Sequence, residues 1–169
     1  DVVRSRGLGD VYKRQKLSDA VKVMQRLSKE GACFTIDVLG EEITSMEEAT
    51  FFLEEYKRVI SAIIENDLDS NLSIKPTAFG LLLDREKGME NIETLVKMAQ
   101  GYDMFVRLDM EDHRVTEDTI QVMLDMHQKG LTNVGVVLQG RLFRTLDDIE
   151  RIKEIFCLLY TSPSPRDLT

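Results

Sequence analysis

The stretch "FVRLDMED", residues 105–112, decides how the rest of the chain is read. Side chains alternate across an extended strand, so Val106, Leu108 and Met110 share one face and Phe105, Arg107 and Asp109 share the other. One face is wholly apolar, while the other carries charge toward the C-terminal end. On either side the period changes. "MENIETLVKMAQGY" (89–102) and "TEDTIQVMLDMHQKG" (116–130) repeat apolar residues at helical spacing, and Gly130 is placed to close the second helix. A strand between two amphipathic helices is the core of a βαβ unit.

The same unit recurs in both directions. Upstream, "FTIDVLGE" (34–41) precedes the helical "SMEEATFFLEEYKRVISAIIEN" (45–66), which opens with Ser45 and Glu48 in a capping-box arrangement. Next comes "LSIKPTAFGL" (72–81), and downstream "NVGVVLQG" (133–140) leads into "TLDDIERIKEIF" (145–156), with Thr145 and Asp148 as a cap-like pair. A further amphipathic segment, "LSDAVKVMQRLSKEGA" (17–32), stands in front. Strands joined by helices must run parallel. Alternation alone leaves both a doubly wound sheet and a (β/α)8 barrel open. No GxGxxG follows the first strand, which weakens a dinucleotide-binding version of the open sheet.

Parity isolates the same kind of residue on every strand. Phe34, Ile36 and Val38 oppose Thr35, Asp37 and Leu39; Leu72 and Ile74 oppose Ser73 and Lys75; Val136 and Leu138 oppose Gly135, Val137 and Gln139. The polar residues nearest the C-terminal ends are Asp37, Lys75, Asp109 and Gln139. In parallel α/β folds that end forms the active-site face. Charge there is costly unless paired or used, and Lys75 with Asp109 could pair across neighbouring strands. Glu41, Glu111 and Asp112 fall in the following loops and read as solvated; His113 reads as a loop residue and His127 as a helix-surface residue. The methionines of the helical segments fit packing rather than a cofactor box.

The two ends read differently. Cys157 to Arg166 of "CLLYTSPSPRD" is the reverse-strand translation of a DNA element able to encode Ser5 to Gln15 of "SRGLGDVYKRQ", so both look like translated sequencing-library adapter. The expected division is an adapter-derived tail at 1–15, a native segment at 16–156 and a second tail at 157–169. The last helix is expected to run on into Cys157, Leu158 and Leu159, followed by a Ser/Pro tail without regular structure. The whole chain carries a net charge of −8; the first fifteen residues hold +2 and the last thirteen are neutral, leaving −10 on 16–156. Such acidity argues against nucleic-acid binding through phosphate neutralisation. Within 16–156 the single cysteine, Cys33, cannot form an intrachain disulfide and reads as a small core or boundary residue. No His/Cys spacing suits a metal, and no apolar run approaches the roughly 18 residues of a membrane span.

In "FTIDVLGE", "SIKPTAFGL", "VRLDMED" and "VGVVLQGRLFRT", taken in order and spacing, the sequence resembles the flavin-dependent proline dehydrogenase family of single-function bacterial enzymes. The resemblance implies an α/β fold: the first half, four βα units, of a (β/α)8 barrel, preceded by a helix. It implies FAD as cofactor and oxidation of L-proline to 1-pyrroline-5-carboxylate in proline catabolism, with a membrane quinone as electron acceptor. It places the protein in the bacterial cytoplasm or peripherally at the inner membrane. By position, Lys75 resembles the family's basic residue beside the substrate carboxylate. Asp109 resembles the acidic residue of the polar network under substrate and flavin, and Gln139 the amide that contacts the flavin ring. Ala78 stands where many relatives have Gln or Ser, and Gly140 and Arg141 where many have Ala-Tyr. The family's fifth-strand flavin contacts and the arginine pair of its last helix have no counterpart in 16–156, so this segment alone is expected to be inactive. The competing readings are a barrel lyase or aldolase forming a Schiff base on Lys75, and a non-catalytic half-barrel.

Overall fold

A computed structural model describes residues 16–40, 43–153, 155 and 160–162. Helix α1 (Leu17–Ser28) precedes four βα units: β1 (Phe34–Ile36) with α2 (Met46–Glu65), β2 (Ser70–Ile74) with α3 (Arg85–Gln100), β3 (Val106–Leu108) with α4 (Thr116–Gln128), and β4 (Val134–Gln139) with α5 (Thr145–Ile152). A three-residue strand, β5 (Tyr160–Ser162), follows. All neighbouring strands are parallel and lie in chain order, β1 to β5. A doubly wound sheet would reverse direction at a switch point; this order does not, so the choice left open by the alternation falls to the half-barrel.

The apolar parity faces build the layer between sheet and helices. Leu72, Ile74, Val106 and Leu108 are fully buried there, and Val136 and Leu138 nearly so. Against them pack Ile60 of α2, Ile92 and Leu95 of α3, and Ile120 and Met123 of α4, all fully buried. Burying each such side chain stabilises the fold by roughly 1.5–3 kcal/mol. The methionines are packing residues as read.

Local signals explain where elements begin and end. Ser45 caps α2, its Oγ accepting from the Glu48 N–H at 3.3 Å. The Glu48 carboxylate reaches back to the Thr44 N–H at 2.7 Å rather than to that of Ser45, so the capping box closes one residue early. Helix α4 ends as expected at Gly130, with φ +80°; Leu131 N–H reaches the Met126 carbonyl and Gly130 N–H that of His127, a Schellman closure. Pro76 opens a 3-10 turn, Pro76–Phe79, where its missing N–H costs nothing.

Several expectations need correction. Thr145 is the first helical residue of α5 rather than its cap, and its hydroxyl donates to the Gln139 carbonyl at 2.6 Å. Asp148 instead holds Arg144. Cys33 is exposed, its thiol donating to Asp69 at 3.0 Å. His127 is half-buried and its Nε2 meets the Val134 carbonyl at 2.8 Å, tying α4 to β4. The last helix stops at Ile152; Cys157 to Leu159 lie outside the described residues, and Tyr160–Ser162 pairs with β4 instead of lacking regular structure. The reason is the edge itself: β4 offers unpaired backbone groups on its far side, and an extended run with Tyr and Thr suits a strand.

Candidate active site

The three shortest routes into the mouth of the sheet are the first residues after β1, β2 and β3, namely Asp37, Lys75 and Asp109, and Gln139 closes β4. The register sets their heights. Ile36 lies beside Leu72, Ile74 beside Leu108, and Leu108 beside Val136. One step further along, Asp37 is level with Ser73, and Lys75 is level with Asp109. Asp37 therefore stands two residues lower than Lys75, about 7 Å along the strand direction. The lysine arm is long enough to reach down that distance.

It does so. Lys75 Nζ lies 2.6 Å from Asp37 Oδ2 and 3.7 Å from Asp109 Oδ2. The sequence pointed to a Lys75–Asp109 pair, whereas the tighter partner is Asp37. Asp109 is held from below by the Ser73 hydroxyl, which in turn accepts from Arg107 Nε at 3.3 Å. Arg107 also donates to Thr35 Oγ1 at 3.1 Å and to Asn71 Oδ1 at 3.4 Å. Register explains the assembly: Ser73 and Arg107 are paired in the sheet, and Arg107 faces Gly135 on β4, which adds no side chain at that level. The inner face is thus a stack of polar layers, with a hydroxyl and amide at the bottom, a guanidinium above them, and an ion-paired lysine at the mouth.

Gln139 stands at the top of the stack. Its Nε2 donates to the carbonyls of Met110 and Glu111, at 3.2 and 3.3 Å, which fixes the amide orientation and leaves Oε1 as the acceptor. Glu111, read as solvated, instead accepts from both the Thr77 N–H and the Thr77 hydroxyl. It thereby clamps the turn after β2 to the loop after β3. Asp112 is a surface residue whose hydrogen bonds from Arg114 pull it down to about 2. Glu41 lies outside the described residues.

Two contributors were not singled out from the sequence, one of them, Ser73, although parity had placed it on the polar face. Ser73 sits on the inner face of β2 without charge to draw attention. Tyr56 belongs to the apolar stripe of α2 with Leu53, Ile60 and Ile63, yet its hydroxyl lies 3.0 Å from Asp37 Oδ1 and 2.7 Å from the Ser73 carbonyl. It also accepts the Val38 N–H at 3.0 Å. Burial, followed by the charge of Asp37, pushes the phenol far above its ordinary value, so it stays protonated. A polar tip on a core tyrosine was the available signal, because a buried phenol needs a partner.

Parallel strands in chain order, an apolar outer layer and a charged cluster at the C-terminal ends define the class: half of a (β/α)8-barrel fold, with its candidate site at the C-terminal mouth. The chain belongs to the proline dehydrogenase family, whose family model, described as "Proline dehydrogenase", matches residues 20–156. It is 37% identical over 139 residues to proline dehydrogenase 1 of Bacillus subtilis strain 168, covering 82% of this chain and 46% of that protein. It is 30% identical over 138 residues to the proline dehydrogenase of Deinococcus radiodurans, covering 79% and 44%. The chain therefore spans about half the length of these curated relatives. Among solved structures, proline utilization A from Bdellovibrio bacteriovorus, inactivated by N-propargylglycine, superposes with a TM-score of 0.75 at 20% identity, over 83% of this chain and 18% of that one. Proline utilization A from Bradyrhizobium japonicum (D779W variant) gives 0.63 at 17% identity, over 76% and 15%. At such identities the structural likeness speaks for the fold.

Among the described residues no helix is long and apolar enough to cross a membrane, and no group of three or more His, Cys, Asp or Glu could hold a metal.

Proposed function

We propose that the whole protein containing this chain oxidises L-proline to 1-pyrroline-5-carboxylate with FAD, passing electrons to a membrane quinone from the cytoplasmic side. The observation that carries the proposal is the Lys75 ammonium held between Asp37 and Asp109 at the mouth, with the Gln139 amide fixed by the β3-loop carbonyls at the end of β4. Family membership supports the reaction class, and the cluster at the strand ends supports the assignment of Lys75, Asp109 and Gln139 to the site.

The Gln139 amide suits one edge of a flavin. With its Nε2 given to the carbonyls of the β3 loop, Gln139 offers an oriented acceptor oxygen, which fits a ring N–H. Bound there, FAD supplies the hydride-accepting chemistry. Lys75 meets the substrate carboxylate as a point charge, and its pairing with Asp37 fixes where that charge stands. Asp109, anchored by Ser73, sets the polar floor beneath the substrate ring. What these residues contribute is placement and electrostatics. Held between two carboxylates, Lys75 is an ion-pair partner rather than a free amine, which disfavours the Schiff-base reading.

The test uses the full-length protein. It should purify yellow, and anaerobic L-proline should bleach its flavin band. Asp109→Ala should chiefly slow the bleaching at saturating proline while leaving the half-saturating proline concentration near wild type. A colourless protein that does not oxidise proline after reconstitution with FAD would sink the proposal.

A further inference from the structure

Tyr56 is 1% exposed, and its hydroxyl lies behind the lysine-bearing mouth rather than in it. It joins α2 to the polar inner cluster: Val38 N–H donates to the phenol oxygen, and the phenol O–H lies within donating distance of both Asp37 Oδ1 and the Ser73 carbonyl. Asp37 presents its other oxygen, Oδ2, to Lys75. We propose that Tyr56 is a positioning residue for Lys75, acting through Asp37. The proposal rests on the reading that Lys75 meets the substrate.

Three features support this role. Asp37 is the first residue past a strand of only three residues, so the sheet ladder itself does not hold its side chain. Its two oxygens are divided, one toward Tyr56 and one toward Lys75, so rotating the carboxylate disturbs both bonds at once. Tyr56 has little freedom to move: its ring packs on Phe79 at 5.5 Å between centroids, and Phe79 is fully buried in the turn that follows Lys75. The same ring thus braces Lys75 from the chain side through the Pro76–Phe79 turn, and from the charge side through Asp37. A lysine has four rotatable bonds and strays unless its head is held; a fixed Asp37 holds it. The rival role is that the hydroxyl only ties β1 to β2, through Val38 N–H and the Ser73 carbonyl.

A double-mutant cycle separates the two in the full-length flavoprotein, using wild type, Tyr56→Phe, Lys75→Met and the double variant, each measured for L-proline kinetics and thermal unfolding. Tyr56→Phe keeps the ring and removes the bond. Its KM for proline should rise about five- to tenfold while kcat changes less than about twofold, the pattern of lost ground-state placement. On the Lys75→Met background the same change should alter KM less than about twofold. An equal KM effect with and without Lys75, or wild-type kinetics in Tyr56→Phe, would overturn the proposal and leave Tyr56 as a strand tie. Should Tyr56→Phe fail to fold, Asp37→Asn keeps an acceptor for the phenol and weakens only the lysine side. It should reproduce the rise in KM, and wild-type kinetics in that variant would overturn the proposal equally. If the wild-type protein does not oxidise proline, the functional reading fails on its own. The melting cycle then still decides the coupling: the Tyr56→Phe loss in melting temperature should be smaller without Lys75, and equal losses would refute the link.

Discussion

Replacing Lys75 with methionine in the full-length protein keeps the length of the side chain and removes its charge. Two effects follow from the geometry. The first is on stability. In the native site the Lys75 side chain is 19% exposed and its head stands between Asp37 and Asp109, whose side chains are 25% and 30% exposed. Breaking a fully buried pair costs about 3–5 kcal/mol; with this much solvent access the loss is reduced to about 1–2 kcal/mol at neutral pH. The melting temperature should then fall by about 2–5 °C. Adding Asp37→Asn removes one of the two stranded negative charges, so the double variant should recover most of that loss. The second effect is on turnover. A charged group that meets a substrate carboxylate in a partly shielded mouth contributes about 2–4 kcal/mol, or roughly 30- to 1,000-fold in kcat/KM. Differential scanning calorimetry and steady-state proline oxidation read the two effects independently. Turnover within threefold of wild type would refute the placement of Lys75 beside the substrate. A double variant no more stable than Lys75→Met would refute the charge-compensation argument, even if turnover fell as expected.

Gly88 lies inside α3, where alanine ordinarily stabilises a helix by about 0.5–1 kcal/mol. Here a Cβ would stand 2.7 Å from the Leu81 backbone, so Gly88→Ala should instead lower stability by about 1–3 kcal/mol, measurable in urea unfolding, and a stabilised variant would contradict the packing. Glu117 accepts hydrogen bonds from Arg144 and Arg151, which hold its carboxyl below the usual glutamate range. Its contribution to stability is accordingly present above the ordinary glutamate value and is lost as pH falls through the lowered one. A carboxyl-detected NMR titration should show a low midpoint that rises in Arg144→Gln, and a midpoint unmoved by that substitution would refute the link between α4 and the loop after β4.

Period-two alternation made the strands and their two faces readable, and so it made Lys75, Asp109 and Gln139 readable as mouth residues before any coordinates. Partner choice was not readable. Whether Lys75 turns to Asp109 or to Asp37 depends on inter-strand register, which only the packed sheet sets, and the two-residue offset favours Asp37. Glu111 looked like a solvated loop carboxylate because nothing local marks its partner Thr77, 34 residues away on the preceding turn. Tyr56 hid for the opposite reason: its place on the apolar stripe was correct, and only its last atom takes part in the polar cluster. Thr145 and Asp148 matched a capping pattern, yet the loop after β4 offered each a better partner, Gln139 for the hydroxyl and Arg144 for the carboxylate.

The far edge of β4 has a consequence for how this half of the barrel can be handled. Tyr160–Ser162 is held there by parallel backbone pairing, with Ser162 level with Gln139. Backbone pairing asks little about which side chains arrive, so the slot is an address rather than a lock. A separately produced second half, offering a strand in that register, could dock beside Gln139 and be followed by the return of flavin colour. The edge would then serve as the seam of a split enzyme.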